Sequence, residues 1–265
     1  MTSADTGLVR KYGRPPYRAA LLHGGPGAPG YMAPVARELS AIAGILEPLQ
    51  SAHTLDGQVV ELRTQLEQHS DGPSVLIGSS WGAVLALLLA ARRPGLAARL
   101  ILIGSAVFDA ASSTTIMPRR LERLSADDRR RCEELDAAMK SAGEAGRDQI
   151  AAEWGKLLSR ADQYDPLPDV SEPIEVQYDV LKAVWADFVA LRDTPGALER
   201  EFSRISAPVL VLHGEYDPHP IEGIRPMLER CLSDIRFVIL SQCGHYPWQE
   251  KHARARFFEL LRAEL

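Results

Sequence analysis

The chain has 265 residues, of which 46% are hydrophobic and 25% are charged, and its formal net charge at pH 7 is −5. This composition is that of a globular protein with a substantial core, and it excludes long disordered or collagen-like segments. The acidic balance excludes binding to nucleic acid through clustered Lys and Arg, so we expect no nucleic-acid partner.

Short apolar runs alternate with longer amphipathic stretches along the first hundred residues. The runs predict four strands, at residues 17–22, 44–49, 73–77 and 99–103. The stretches between them predict three helices, at residues 31–42, 56–68 and 80–92. Because strands that alternate with helices form βαβ units, the pattern predicts an α/β fold with a mostly parallel sheet. The runs are apolar throughout, which is typical of strands that are flanked by helices on both faces.

A serine motif stands between the third predicted strand and the helix that follows it. Residues 78–82 read Gly-Ser-Ser-Trp-Gly and fit the pattern G-x-S-x-G. Between a strand and a helix, this pattern presents its central serine on a strained turn, and the flanking glycines let the two backbones approach. The spacing centres on Ser80, which we predict to be a nucleophile, rather than on Ser79. A plain Gly/Ser turn is the alternative interpretation.

Residues 106–200 interrupt the alternation of strands and helices. They contain no convincing strand, are rich in Glu, Arg, Ala and Leu, and have a proline-punctuated break at residues 165–173. This pattern predicts a helical insertion packed over the sheet. We therefore expect a core built from residues 1–105 and 201–265 and a cap built from residues 106–200. The basic run at 119–131 is mixed in sign, which favours a solvated helix face over a binding patch.

The alternation returns after residue 200. Strands are predicted at residues 207–212 and 236–240, and helices at 221–232 and 248–264. Pro247 suits the start of the last helix, where its missing N–H costs nothing.

A reactive serine needs a base that is itself oriented by an acid. Asp217 follows the strand at 207–212, and His245 follows the strand at 236–240. Because the carboxyl ends of parallel strands share an edge where ligands collect, we predict His245 as the base and Asp217 as the acid. Glu215, in the same loop, and Asp109, after the strand at 99–103, remain alternative acids.

Two further histidines lie close to Asp217 in the sequence. His219 is a rival base, but it stands two residues from the predicted acid and is predicted to be solvated. His213 precedes a glycine at a strand end, where a histidine more often packs or forms a local hydrogen bond than reacts.

Taken in order, four motifs resemble those of the α/β-hydrolase superfamily and, within it, of the proline iminopeptidase branch. They are HGGPG at 23–27, GSSWG at 78–82, HGEYD at 213–217 and CGH at 243–245. The resemblance covers residues 17–105 and 205–265, with the helical insertion in the position of the cap. It implies the α/β-hydrolase fold and a Ser80, Asp217, His245 triad in the usual chain order. It also implies an oxyanion hole formed by the backbone N–H groups of Gly25 and Trp81.

The chain departs from the proline iminopeptidase branch in two ways. Only about sixteen residues precede the strand before HGGPG, so we expect the sheet to be shortened at its N-terminus by at least one strand. Ala83 stands where the branch commonly has a second glycine. The acids that bind the substrate amine in such peptidases lie in the cap. The candidates here, for which a solvated helix face is the alternative, are Glu172, Glu175, Asp179 and Asp187.

These features predict a hydrolase without a cofactor that cleaves an ester or amide of a small molecule or short peptide. An ester is slightly favoured, because an aminopeptidase must also neutralise a buried substrate ammonium. A non-catalytic ligand-binding protein with the same fold is an alternative, as is a lyase or C–C bond hydrolase with the same triad. Dehalogenase and epoxide-hydrolase chemistry is disfavoured, because those enzymes have a carboxylate nucleophile where Ser80 stands.

The cysteines and the hydropathy predict the cellular environment. Cys132, Cys231 and Cys243 are widely spaced and form no metal-ligand pattern, so we expect reduced thiols and no metal. The first residues contain no apolar segment of a secretion signal, and no run reaches the roughly 18 apolar residues of a membrane span. A cytoplasmic protein without a membrane partner is therefore expected. The substrate and the oligomeric state are left open.

Overall fold

A computed structural model describes residues 8–168 and 175–265. Within these residues, seven strands form one sheet in the order β1-β3-β2-β4-β5-β6-β7. The strands are β1 (Val9–Tyr12), β2 (Tyr17–Leu22), β3 (Gly44–Pro48), β4 (Ser74–Ser79), β5 (Ala97–Ile103), β6 (Val209–Gly214) and β7 (Ile235–Leu240). β1 is antiparallel to β3, and the remaining pairs are parallel. The prediction of a mostly parallel sheet is confirmed.

β1 is a strand that the sequence analysis did not predict. Its ends pair in register with β3, Val9 with Pro48 and Tyr12 with Ile45. Its two central residues are charged and exposed, and only its ends are partly buried. A short, charged strand is typical of a sheet edge, and it lacks the continuous apolar run that identified the other six strands.

Helices cover both faces of the sheet. They are α1 (Ala33–Leu39), α2 (Leu55–His69), α3 (Trp81–Arg92), α9 (Arg225–Cys231) and α10 (Arg254–Glu264). Buried residues of α2, α3 and α9 join one hydrophobic cluster, and those of α1 and α10 join another. Successive strand residues alternate between the clusters, as Leu21 and Leu22 of β2 do, because adjacent side chains on a strand point to opposite faces.

α3 is the central helix of the first cluster. Residues 81–91 are all buried, which is expected for a helix that is apolar around its whole circumference. The helix packs against β4 and β5, and its N-terminus begins directly after Ser80. Burial on every side therefore fixes the position of the serine motif.

Between β5 and β6, the described residues (104–168 and 175–208) form five helices. They are α4 (Ala110–Arg123), α5 (Ala126–Ser141), α6 (Glu144–Ala161), α7 (Tyr178–Asp193) and α8 (Ala197–Phe202). α5 and α6 form a small hydrophobic cluster of their own, whereas buried residues of α7 and α8 join the cluster around α3. The helical nature of this segment agrees with its composition. The division of the chain into core and cap at residues 105 and 200 stays a prediction.

The basic run at 119–131 is not one solvated helix face. α4 ends at Arg123, and Ser125 begins α5 by accepting a hydrogen bond from the Asp128 backbone N–H at 3.1 Å. Leu124, between the two helices, is buried. A serine N-cap is a strong start signal, and here it divides the run into two helices with different surroundings.

The last helix begins later than Pro247, which instead opens a single 3-10 turn, Pro247–Gln249. The reason is Glu250, which is fully buried and accepts hydrogen bonds at 2.8 Å from the backbone N–H groups of Gly244, Tyr164 and Asp165. A buried carboxylate needs such donors. These bonds tie residues 244–250 to the segment that follows α6 in the helical insertion, and α10 starts only at Arg254.

None of the helices in the described ranges is long and apolar enough to span a membrane. All three cysteines are free, and Cys132 and Cys243 are buried.

Candidate active site

Ser80 occupies a strained turn between β4 and α3. Its φ is +53° and its ψ is −114°, a conformation that residues other than glycine rarely adopt. The Ser80 backbone N–H donates to the carbonyl oxygen of Ile103 at the end of β5, at 2.8 Å. Strain of this kind persists only where the surrounding structure enforces it, and it is concentrated at functional sites.

The glycines at positions 78 and 82 allow this turn to form. A Cβ at Gly78 would overlap the backbone of Gly82, and a Cβ at Gly82 would overlap the carbonyl oxygen of Leu22. Both neighbours are backbone atoms in buried elements, so neither has room to move aside. The glycines of the motif are therefore required by close packing of strand and helix.

We expect Gly82→Ala to lower the free energy of unfolding by about 2 to 3 kcal/mol, because the new methyl group overpacks a rigid junction. Gly155→Ala is the matched control, since Gly155 lies in α6 with open space around a Cβ. This control is expected to stabilise by about 0.5 to 1 kcal/mol through helix propensity. Urea unfolding of both variants measures the difference, and equal unfolding midpoints would show that the predicted overlap is absent.

His245 and Asp217 form a buried pair at the carboxyl edge of the sheet. The Nδ1 atom of His245 lies 2.7 Å from Oδ2 of Asp217, and the two residues are 3% and 4% exposed. A Cβ at Gly104, the residue after β5, would approach both side chains within 3.0 Å. Since Ile103 binds the backbone of Ser80, the structure brings all three predicted triad residues to the same edge of β4 and β5.

The charges of the pair suit a base held by a carboxylate. Burial alone would lower the pKa of His245, but the carboxylate of Asp217 outweighs it and raises this pKa above its ordinary 6.5. Burial would raise the pKa of Asp217, yet the imidazoles of His245 and His219 hold this pKa well below 3.8. Asp217 is therefore ionised at neutral pH, and its hydrogen bond fixes the orientation of the His245 ring.

The prediction that His219 is solvated is wrong. Its backbone N–H and its Nδ1 both lie near Oδ1 of Asp217, at 2.9 and 2.8 Å. The ring also stacks on His245, with centroids 4.5 Å apart and an angle of 27°. An aspartate commonly accepts a hydrogen bond from the backbone N–H two residues later. That turn brings the side chain of residue 219 back to the same carboxylate. The Asp-x-His spacing is therefore the sequence feature that could have predicted the contact between His219 and Asp217.

His213 is also buried, at the end of β6. Its Nδ1 lies 4.0 Å from Oδ2 of Asp217, which is too far for a hydrogen bond. Burial lowers the pKa of His213, so its ring is neutral near pH 7. This histidine packs beside the pair without sharing its hydrogen bonds.

Among the residues that the structure describes, Asp217, His219 and His245 are grouped closely enough to hold a metal ion, because one ligand atom of each lies within 4.8 Å of the others. Both ring Nδ1 atoms are at hydrogen-bond distance from the carboxylate. An ion bound through the two Nδ1 atoms would have to replace both of these N–H protons. A pair of N–H donors on one carboxylate accounts for the observed contacts without such a replacement.

The HGGPG segment, residues 23–27, packs directly against Ser80. A Cβ at Gly24 would lie 2.9 Å from the Cβ of Ser80. His23 is fully buried, its Nδ1 donates to the Gly24 carbonyl oxygen at 2.9 Å, and its Nε2 accepts from the Gln50 backbone N–H at 3.3 Å. Burial lowers the pKa of His23 to about 4, so the ring is neutral. The roles of the Gly25 and Trp81 N–H groups as oxyanion donors stay a prediction.

Tyr31 supports this segment, and the sequence analysis did not identify it. Its hydroxyl donates to Oγ of Ser79 at 2.7 Å, and its ring stacks on Trp248. A Cβ at Gly24 would also overlap the Tyr31 hydroxyl. Tyr31 thus ties the HGGPG segment to the serine turn, and the buried Ser79 hydroxyl is occupied by this bond.

The helical insertion reaches the pair through Asp162, at the end of α6. The Asp162 carbonyl oxygen accepts the His245 backbone N–H at 2.7 Å. Its carboxylate binds Arg120 of α4 through two hydrogen bonds, at 2.6 and 2.7 Å. Arg120 belongs to the run predicted to be solvated, yet its side chain is only 17% exposed. Two bonds in parallel make this pair a rigid support for the His245 loop.

The alternative acids serve other purposes. Asp109 is the N-cap of α4 and accepts the Ser112 backbone N–H at 2.7 Å. Glu215 is exposed. Of these acids, Asp217 is the one that binds His245.

The candidate amine-binding acids lie at the surface where they are described. Glu172 falls outside the described residues. Glu175, Asp179 and Asp187 are exposed. Asp179 faces Arg147 at 3.9 Å, and Asp187 accepts the Leu55 backbone N–H at 3.0 Å. Asp179 thus takes part in an ion pair between two helix surfaces, and Asp187 binds the first residue of α2.

The model of the "Alpha/beta hydrolase family" matches residues 16–260. Lipase LipV of Mycobacterium tuberculosis is 40% identical over 60 residues, and the match spans 23% of this chain and 23% of that lipase. Among solved structures, VinJ has a TM-score of 0.68 at 21% identity, with 97% of this chain and 93% of VinJ covered. Proline iminopeptidase of Mycobacterium smegmatis has a TM-score of 0.60 at 19% identity, with 97% and 92% covered. At these identities the structural likeness shows the fold alone.

Proposed function

Because the chain belongs to the alpha/beta hydrolase family, we propose that it is a serine hydrolase that cleaves an ester or amide of a small substrate through an acyl-enzyme at Ser80. One observation carries the proposal. Ser80 stands on a strained turn beside a buried pair in which Asp217 binds His245 at 2.7 Å. A nucleophile, a base and an acid that orients the base are the three groups that acyl transfer requires.

The proposed reaction proceeds in two halves. The Ser80 hydroxyl oxygen attacks the carbonyl carbon of the substrate while Nε2 of His245 takes the hydroxyl proton. Asp217 keeps the Nδ1 proton of His245 in place and stabilises the imidazolium. The N–H groups of Gly25 and Trp81 stabilise the negative oxygen, and His245 returns its proton to the leaving alcohol or amine. Water then attacks the acyl-enzyme with His245 again as base, which releases the acid and restores Ser80.

An ester is favoured over a peptide substrate by the groups around the serine turn. Trp81, the residue after Ser80, packs against Trp185 and Phe188 of α7, with ring centroids 6.5 and 5.8 Å apart. This places an apolar wall of the proposed cap, residues 106–200, next to the turn. Asp162 is buried near His245 but is paired with Arg120. An unpaired acid directed at a substrate ammonium, which an aminopeptidase needs, is thus not found among the described cap acids discussed above.

Labelling with a fluorophosphonate, followed by peptide mapping, tests the proposal. The label is expected on Ser80 of the folded protein, since the reagent reacts with an activated serine. Rates on p-nitrophenyl butyrate and prolyl-naphthylamide then decide the substrate class. A clear preference for the prolyl amide, lost when Glu172, Glu175, Asp179 or Asp187 is neutralised, would favour the aminopeptidase. Absence of both labelling and turnover would favour a non-catalytic binding protein.

The pH dependence of kcat/KM on p-nitrophenyl butyrate should report the protonation of His245. Only the neutral ring accepts the serine proton, and the pKa of His245 lies above 6.5. Activity is therefore expected to be full above this pKa and to fall about tenfold per pH unit below it. Circular dichroism at each pH shows whether the protein stays folded. A flat profile between about pH 5 and 8 would contradict the assignment of His245 as base.

A further inference from the structure

Asp217 holds two imidazole rings. Its Oδ2 atom binds Nδ1 of His245 at 2.7 Å, and its Oδ1 atom binds Nδ1 and the backbone N–H of His219 at 2.8 and 2.9 Å. The two rings stack on each other. The proposed mechanism uses His245 and leaves His219 without a role.

The hydrogen bonds define the protonation of both rings. A carboxylate only accepts, so each Nδ1 atom carries a proton, and Nε2 is the basic nitrogen of each neutral ring. Two imidazolium ions stacked at 4.5 Å would repel each other strongly. The pair therefore takes up one proton readily and the second with difficulty, as coupled groups do.

The surroundings favour His245 as the site of that first proton. Burial and the neighbouring His245 lower the pKa of His219, whereas Asp217 raises the pKa of His245 against its own burial. The groups facing these rings from other elements are His213 of β6, Arg120 of α4, Asp162 after α6, and Tyr246 in the last loop. His213 is neutral, and Arg120 and Asp162 pair with each other. His219 thus remains a neutral donor while His245 cycles between its two forms.

We propose that His219 is a positioning residue of the catalytic site, a second imidazole that anchors Asp217 and packs against His245 so that the base keeps its orientation toward Ser80. This inference rests on the proposed serine hydrolase function. The ring adds a second hydrogen bond to Oδ1 beside that of the backbone N–H, and with His245 on Oδ2 the carboxylate is held more firmly against rotation. The extra donor also draws charge from Asp217, so His245 works as a base at lower pH than it would with one imidazole on the acid.

Two substitutions distinguish the effect of the His219 side-chain N–H from the effect of the side-chain volume. His219→Leu fills the site without a side-chain N–H and keeps the backbone N–H of residue 219 on Oδ1 of Asp217. His219→Asn places an amide N–H near the position of Nδ1. We expect His219→Leu to lower kcat by about 10- to 100-fold with little change in KM, as the loss of a supporting hydrogen bond does around other reactive groups. The acid limb of its pH profile should also move to higher pH by about half a unit to one unit. His219→Asn should restore most of kcat and the position of the limb.

Proton NMR gives a readout that does not depend on turnover. The wild type should show two exchangeable imidazole N–H signals downfield of the amide region, one from each ring on Asp217. His219→Leu should lose the signal of the His219 ring and shift the signal of the His245 ring. His245→Leu should lose the signal of the His245 ring. If His219→Leu changes only the unfolding temperature and leaves the pH profile and the remaining signal unchanged, the proposal is refuted. Failure of wild-type Ser80 to react with a fluorophosphonate would instead refute the serine hydrolase function, whereas the two signals would still show whether both rings bind Asp217.

Discussion

Ser80→Ala is expected to lower kcat/KM on p-nitrophenyl butyrate by about 10⁴-fold or more, with the fold intact. Removing the nucleophile of a triad leaves only the catalysis that the oxyanion donors and binding supply. Alanine keeps the Cβ of serine, so the backbone at φ +53° is no more strained than before. Steady-state rates together with a urea unfolding curve measure the loss of activity and the retention of structure. Fluorophosphonate labelling should disappear in the same variant.

Ser79→Ala is the matched control, one residue away. Its hydroxyl accepts the Tyr31 hydroxyl at 2.7 Å and is fully buried. Its loss leaves a buried donor without its partner, which costs about 1 to 3 kcal/mol of stability. We therefore expect Ser79→Ala to affect the unfolding midpoint more than the rate. Ser80→Ala retaining more than about a tenth of the wild-type rate would refute Ser80 as nucleophile.

The parts of the fold that depend on local sequence could be predicted. The six strands with continuous apolar runs are present, and the family that the four motifs indicated is confirmed by the match over residues 16–260. A buried parallel strand needs an unbroken run of apolar residues, and this requirement is visible in the sequence. The glycines around Ser80 were also identifiable, because their spacing reflects the approach of one strand and one helix.

The parts that depend on distant partners could not be predicted. β1 is defined by its pairing with β3, and α10 is delayed because Glu250 binds residues 80 or more positions away. Arg120 is in a run with the charge pattern of a solvated face, and only the position of Asp162 in the fold explains its burial. Glu250 and Arg120 are polar groups that are buried because partners from elsewhere in the chain satisfy them, and local composition contains no record of those partners.

The residues of the candidate site also divide into those that the strand topology places and those that distant side-chain contacts place. Asp217 and His245 follow strands, so the topology alone brings them to one edge. Tyr31 and His219 reach that edge through side-chain hydrogen bonds, to Ser79 and Asp217. Such bonds depend on rotamers and turn geometry, which sequence periodicity does not describe. The supporting residues of the site therefore emerged only with the structure.

Asp217→Asn is expected to lower kcat/KM on p-nitrophenyl butyrate by about 10⁴-fold at neutral pH, as the loss of the acid from a triad does. Asparagine has one acceptor oxygen, whereas both His219 and His245 donate a proton from Nδ1 to the carboxylate. The oxygen is expected to stay with His219, because the backbone N–H of that residue binds the same atom at 2.9 Å. The asparagine NH₂ group then faces His245. Because this group is a donor, the ring proton of His245 must move from Nδ1 to Nε2. In that tautomer Nε2 has no lone pair with which to accept the proton of Ser80.

Asp109→Asn is the matched control for this substitution. Asp109 is the N-cap of α4, and asparagine caps a helix as well as aspartate does, so rate and stability should both stay near those of the wild type. Asp217→Asn should differ from it in rate far more than in unfolding midpoint, since its shape is conserved. The low-field N–H signal of His245 should be lost in the same variant, which ties the lower rate to the tautomer. A rate for Asp217→Asn close to that of the wild type, together with a large loss in Asp109→Asn, would move the role of acid to Asp109.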